Sequence, residues 1–120
     1  MNYQTLELGK IEDLGEKVFL HDTLNLSGAE ISLNKVAKGY KVPFKHKHKQ
    51  NEEVYIIISG KGIMEIDNDR IDIQEGSVIK VTPEGIRTLE NTSDSELIFI
   101  VIQTKSNSLE GFTMTDAEIV

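Results

Sequence analysis

Cysteine is absent from all 120 residues. Disulfides, thiolate metal sites and cysteine nucleophiles are therefore excluded. A chain without thiols suits a reducing compartment, so a cytoplasmic location is expected. Tryptophan is also absent, and the aromatic set is four Phe and three Tyr. No broad stacking platform for bases or sugars is evident, and any cavity is expected to be mainly aliphatic. Long apolar runs are missing too. The longest, Leu97 to Ile102, falls far short of the ~18 residues of a membrane-spanning helix. Met1-Asn2-Tyr3-Gln4-Thr5 is not a basic segment leading into an apolar one, so no signal peptide is expected. Positive charge is in the minority: 13 Lys and Arg against 20 Asp and Glu, a net charge of −7. An acidic surface repels phosphate backbones, so neither nucleic acid nor membrane is an expected partner.

What remains is ordinary for a globular domain: 38% hydrophobic and 28% charged residues. The length fits one domain with its own core. The pattern along the chain is short strands separated by turns. Val18 to His21 reads as a weak first strand. Glu30 to Val36 sets Ile31 and Leu33 against Glu30, Ser32 and Asn34. Glu53 to Ser59 is strongly β-branched. Gly62 to Asp67 and Arg70 to Gln74 flank Asp67-Asn68-Asp69, a hairpin signal. Ser77 to Thr82, Ile86 to Asn91 and Glu96 to Thr104 complete the series. Gly60, Gly62, Gly76, Pro83 and Gly85 are the breakers. Strands at this close spacing predict an all-β sandwich or barrel. Residues 1–28 form an N-terminal arm and first strands, 29–105 the barrel, and 106–120 a tail packing on it, one domain in all. Thr113 to Val120 is expected to make one helical turn, with Thr113 as cap and Asp116 in the first turn.

Two strands carry further information. Val54-Tyr55-Ile56-Ile57-Ile58 and Leu97 to Ile102 are apolar at every position. A strand with one wet face should alternate, so both faces of these strands require cover. A homodimer packed sheet to sheet meets that requirement, as does cover from the chain's own arms.

The chemistry concentrates in Lys45-His46-Lys47-His48-Lys49, followed by Gln50-Asn51-Glu52-Glu53. Side chains alternate along an extended segment. With Lys45, Lys47 and Lys49 in water, His46 and His48 point the other way, into the barrel. Glu53 opens the next apolar strand and can return to the same place. Two imidazoles and one carboxylate form a facial set with open positions, suited to Fe, Mn, Ni or Zn. Glu52 is an alternative ligand if the turn is shorter. The bland alternative is two exposed histidines in a lysine-rich edge. His21 reads as a surface or strand-edge residue. Tyr55 and Ile57 share the Glu53 face and are expected to line the pocket. Tyr55 is a candidate acid/base beside Glu53, or a core tyrosine with one satisfied hydroxyl. Met64 and Phe99 read as core.

Gly39, then His46-x-His48-x4-Glu53-x6-Gly60, resembles the first motif of the cupin family, with one extra residue between Gly39 and His46. Gly76-x6-Pro83-x-Gly85, then Asn91, resembles the second. The resemblance implies a double-stranded β-helix, or jelly-roll, barrel. It matches His46, His48 and Glu53 to three of the family's metal ligands. The fourth, a histidine of the second motif, is missing. Counting back from Asn91 puts Arg87 in its place; counting forward from Pro83 puts Thr88 there, and the strand into Asn91 favours Arg87. An arginine cannot ligate a metal. Two functions follow. One is a divalent-metal-dependent isomerase or oxygenase acting on a small polar molecule. The other is a metal-free sensor or binding protein that recognises an anion through Arg87.

Overall fold

The β-branched runs and their glycine and proline breakers become eight strands in the computed structural model, which describes residues 2–120. They are β1 (Lys17–Phe19), β2 (Glu30–Val36), β3 (Asn51–Ser59), β4 (Lys61–Ile66), β5 (Asp69–Gln74), β6 (Val78–Val81), β7 (Arg87–Asn91) and β8 (Leu97–Lys105). One sheet has five strands in the order β1-β2-β8-β3-β6; the other has three, β5-β4-β7. All pairings between strands are antiparallel. The all-β jelly-roll expectation holds. Among the described residues, no helix is long and apolar enough to cross a membrane.

The two sheets share one core. Tyr55, Ile57, Val81, Leu97, Phe99 and Val101 from the larger sheet meet Met64, Ile73 and Leu89 from the smaller. Met64 and Phe99 are core residues as expected. Gly62 lets β4 lie against β7, because a Cβ there would fall 2.4 Å from the Glu90 carbonyl oxygen. Gly60, with φ +93°, turns the chain from β3 into β4 under the Glu96 carbonyl. The β4–β5 hairpin closes on Asp67-Asn68, between the paired Ile66 and Asp69.

The expected boundaries need four corrections. His21 does not end a strand. It opens a single helical turn, α1 (His21–Leu24), which Asn25 ends in the left-handed conformation. Its ring pairs with Glu30 and lies 3.0 Å from Asp22. Thr113–Val120 forms only a turn, through the Asp116 amide and the Thr113 carbonyl. With no apolar face to bury, so short a segment does not hold a helix. The tail does not pack on the barrel either: residues 107–120 are exposed throughout, including Leu109 and Phe112. The backbone bonds after Ser106 are local ones. Finally, the lysine–histidine segment is not a regular strand. Lys41 bridges Glu90 and His46 bridges Arg87. Five steps on one side match three on the other, so the segment bulges around Pro43, which has no amide to donate. The two extra residues preserve the alternation.

Candidate metal centre and cavity

The Lys41–His48 segment runs along the outer edge of β7 and hangs both histidines over the barrel mouth. The His46 amide donates to the Arg87 carbonyl at 3.1 Å, and the Arg87 amide returns the bond at 2.9 Å. The His48 amide donates to the Pro83 carbonyl at 2.9 Å. Lys45, Lys47 and Lys49 stay exposed. Lys45 reaches Glu65 at 3.3 Å. His48 is half-buried; His46, although 42% exposed, still turns its Nε2 toward Glu53.

Glu53 comes up from the inner face of β3 and is buried. Its Oε1 lies 3.3 Å from His48 Nε2, 3.8 Å from His46 Nε2 and 3.9 Å from Arg87 Nη1. Tyr55 donates its hydroxyl to the same oxygen at 3.0 Å, and Gln103 Nε2 approaches Oε2 at 3.4 Å. The two imidazoles stand nearly perpendicular, 87° apart, with centroids 5.2 Å apart. One ligand atom from each of His46, His48 and Glu53 falls within 4.8 Å of the others.

These donors fit a metal. Two ligands each ~2.1 Å from one ion are separated by roughly 3.0–3.4 Å; the His48–Glu53 pair at 3.3 Å meets that spacing, and the His46–Glu53 pair at 3.8 Å would have to close by a few tenths of an ångström. His48 Nε2 is buried and has no hydrogen-bond partner despite its closeness to Glu53. A bound ion would satisfy that atom. Burial pushes the His46 imidazole below its ordinary pKa, with Arg87 and His48 acting in the same direction against Glu53. It is therefore neutral, with a lone pair free, at pH 7. Glu52 lies outside this cluster, on the other face of β3.

Arg87 settles the choice left open by the sequence. It is 1% exposed and points inward, and its Nη2 donates to the Thr82 carbonyl at 2.9 Å. Its Nε and Nη1 are buried without partners. Thr88 is buried as well and donates to the Val42 carbonyl. A cation thus stands against the carboxylate of the histidine pair.

The cavity beyond this cluster has a volume of about 480 Å³, within the ~300–1,000 Å³ usual for small-molecule sites. Tyr55 lines it; Ile57 does not, being sealed in the core. Equal parity on β3 does not mean equal depth in a tapering barrel. Burial and Glu53 hold the Tyr55 hydroxyl far above its ordinary pKa, so it stays protonated. Its proton is engaged by Glu53, which makes it a holder of that carboxylate. The expectation of an aliphatic cavity is overturned: Phe19, Tyr40, Phe44, Tyr55 and Phe99, five of the seven aromatics, line it.

The model of the cupin domain matches residues 33–103. The chain belongs to the cupin family. A cupin protein of known structure from Bacteroides fragilis is 45% identical, with the match covering 100% of this chain and 98% of that one at a TM-score of 0.90. A predicted oxalate decarboxylase from Thermotoga maritima is 25% identical over 62% of this cupin and 64% of its own chain, with a TM-score of 0.59. An uncharacterised protein of Methanocaldococcus jannaschii is 35% identical over 52 residues, which is 43% of this chain and 42% of that relative's length.

Three features escaped the sequence reading. Asn91, fully buried, bonds the Val36 and Ser95 carbonyls and accepts from Ser93 twice. It ties the loop before β8 in place. Gln103 bridges Asn51 and Glu53. Ser32 and Asn34 face the cavity from β2. Asn91 stood within the second motif and carried a signal, but Ser32, Asn34 and Gln103 carried none.

Proposed function

We propose that this cupin holds one divalent transition ion, Fe, Mn, Ni or Zn, on His46, His48 and Glu53, and binds a small polar molecule in the cavity beside it. The observation that carries this reading is the buried, unpartnered His48 Nε2 beside a second imidazole and a buried carboxylate. A bound ion would supply a Lewis acid or redox centre suited to an isomerase or an oxygenase. The chain's own residues do the rest. Tyr55 and Gln103 fix the two oxygens of Glu53, so the carboxylate is oriented before anything binds. Arg87 offers a cation to an anionic substrate group. The similar Thermotoga maritima protein, a predicted oxalate decarboxylase, is in keeping with a small acid as substrate. A chain without thiols suits work in the cytosol.

One observation favours a second reading. Arg87 Nη1 lies 3.9 Å from Glu53 Oε1, and a guanidinium there opposes a divalent ion by like-charge repulsion. A metal-free cupin that binds an anion on Arg87, without catalysis, would use the same cavity. Thermal unfolding with Mn, Fe, Ni and Zn separates the two. The metal reading expects a rise in Tm with at least one ion, because native-state binding stabilises, and loss of that rise in His48→Ala. No rise with any ion, together with a rise on adding small carboxylates, favours the second.

A further inference from the structure

The pattern of β2 is inverted. Its apolar Ile31 and Leu33 face outward, while Ser32 and Asn34, 4% and 5% exposed, turn into the barrel and line the cavity. Burying polar groups is unfavourable unless each finds a partner. These do not find enough within the protein. Asn34 Nδ2 donates to Ser32 Oγ at 2.9 Å and reaches the Ser32 carbonyl at 3.3 Å. Among the described residues, Asn34 Oδ1 accepts no hydrogen bond and the Ser32 hydroxyl donates none. Glu30, next along the same face, keeps Oε1 buried and unpartnered. One wall of the cavity therefore presents donors and acceptors with spare capacity.

The opposite wall carries the Arg87 guanidinium, 3.9 Å from Glu53, with its Nε and Nη1 unpartnered beside the histidine pair. β8 alone separates β2 from β3, and Glu30, Gln103 and Glu53 form one rung across the three strands. Ser32 sits one rung deeper, level with Tyr55. Two strand spacings put the backbones about 10 Å apart. A six-carbon chain with a polar group at each end spans a distance of about that order.

We infer that the cavity is built for a small hydroxylated carboxylic acid, its carboxylate at the His46–Glu53–Arg87 wall and its hydroxyls on Ser32 and Asn34. This rests on the proposed function for the anchoring end only. The β2 wall selects hydroxyl groups whether or not an ion is present. The unpartnered Arg87 donors attract the charged end, and the polar wall rejects an apolar chain because its own groups would be left unpaired.

The test is calorimetry with three probes, on metal-loaded and on chelator-treated protein: gluconate, hexanoate, which lacks the hydroxyls, and sorbitol, which lacks the carboxylate. The expected result is gluconate binding at least about tenfold tighter than either. Ser32→Val combined with Asn34→Leu should abolish that preference, weakening gluconate and strengthening hexanoate, because the apolar wall no longer leaves polar groups unpaired against an apolar chain. The same variant should unfold at the same or a higher Tm without ligand, because apolar groups of similar shape replace under-satisfied polar ones. Ser32→Ala, the smallest change, should weaken gluconate binding at unchanged Tm. A lowered Tm or a failure to fold with the double variant would mean that the pair is structural, and overturns the inference. So does gluconate binding no tighter than hexanoate, or a preference indifferent to these residues, which leaves the wall to water only. Gluconate selectivity in protein that takes up no ion sinks the metal reading and sustains this one. A bound ion without gluconate selectivity does the reverse.

Discussion

Arg87 occupies the place where the family resemblance led one to expect a fourth ligand, and its surroundings show why a histidine is not needed to fill it. Its Nη2 is held by the Thr82 carbonyl, its backbone exchanges both bonds with His46, and its head group faces Glu53. The guanidinium balances the buried carboxylate when no ion is present, but weakens an ion when one is. Arg87→His removes that repulsion and adds a neutral nitrogen. Metal affinity measured by calorimetry should rise at least about tenfold. Unchanged affinity would show that residue 87 does not face the ion. The imidazoles and Glu53 were legible in the sequence because alternation is a local rule: three lysines in water leave two histidines pointing the other way. The inward aim of Arg87 was legible only as register counted from Asn91. Its lack of partners was not, because that depends on loops closing from Thr82 and from the histidine segment.

Strands were readable where β-branched runs met glycine or proline, and β2 to β8 fall within two residues of where the pattern put them. Depth was not readable. Tyr55 lines the cavity and Ile57 does not, although they share a face. That depends on where the barrel narrows. Nor did the inversion of β2 declare itself, because alternation gives two faces without saying which is inside. Short elements were lost for a different reason. α1 spans four residues, too few for a helical period to show. Asn91 is the clearest case of an element held by one side chain. Its amide donates to Val36 and Ser95 while its oxygen accepts the Ser93 amide and hydroxyl. Asn91→Ala leaves several of those groups buried and unpaired, and should destabilise by about 2–4 kcal/mol in urea unfolding. A loss under ~0.5 kcal/mol would mean that the loop rearranges freely.

Across the whole molecule, the outer face of the larger sheet is apolar from edge to edge. Val18, Leu33, Ile100, Ile56 and Val78 follow one another across β1, β2, β8, β3 and β6 as directly paired residues. Ile31, Ile102 and Val54 form a second row beside them. Five strands make a face roughly 24 Å wide, and continuous apolar surface on that scale marks an interface. The chain's own tail leaves it open, as residues 107–120 are exposed. We propose a second copy as its cover, in a two-fold sheet-to-sheet dimer. Sedimentation at micromolar concentration should give twice the 13.5 kDa of one chain, and Ile56→Lys should return it to monomer. Wild-type protein that sediments as a monomer would leave the face to other partners. The cavity lies on the opposite side of that sheet, and His46, His48 and Glu53 of the proposed centre all come from one chain. The most direct measurement is therefore elemental analysis of protein purified without a metal-binding tag. About one Fe, Mn, Ni or Zn per chain, lost on His46→Ala and on His48→Ala, is the predicted result. Protein that carries no transition metal and takes none up when offered each ion would contradict the proposed centre.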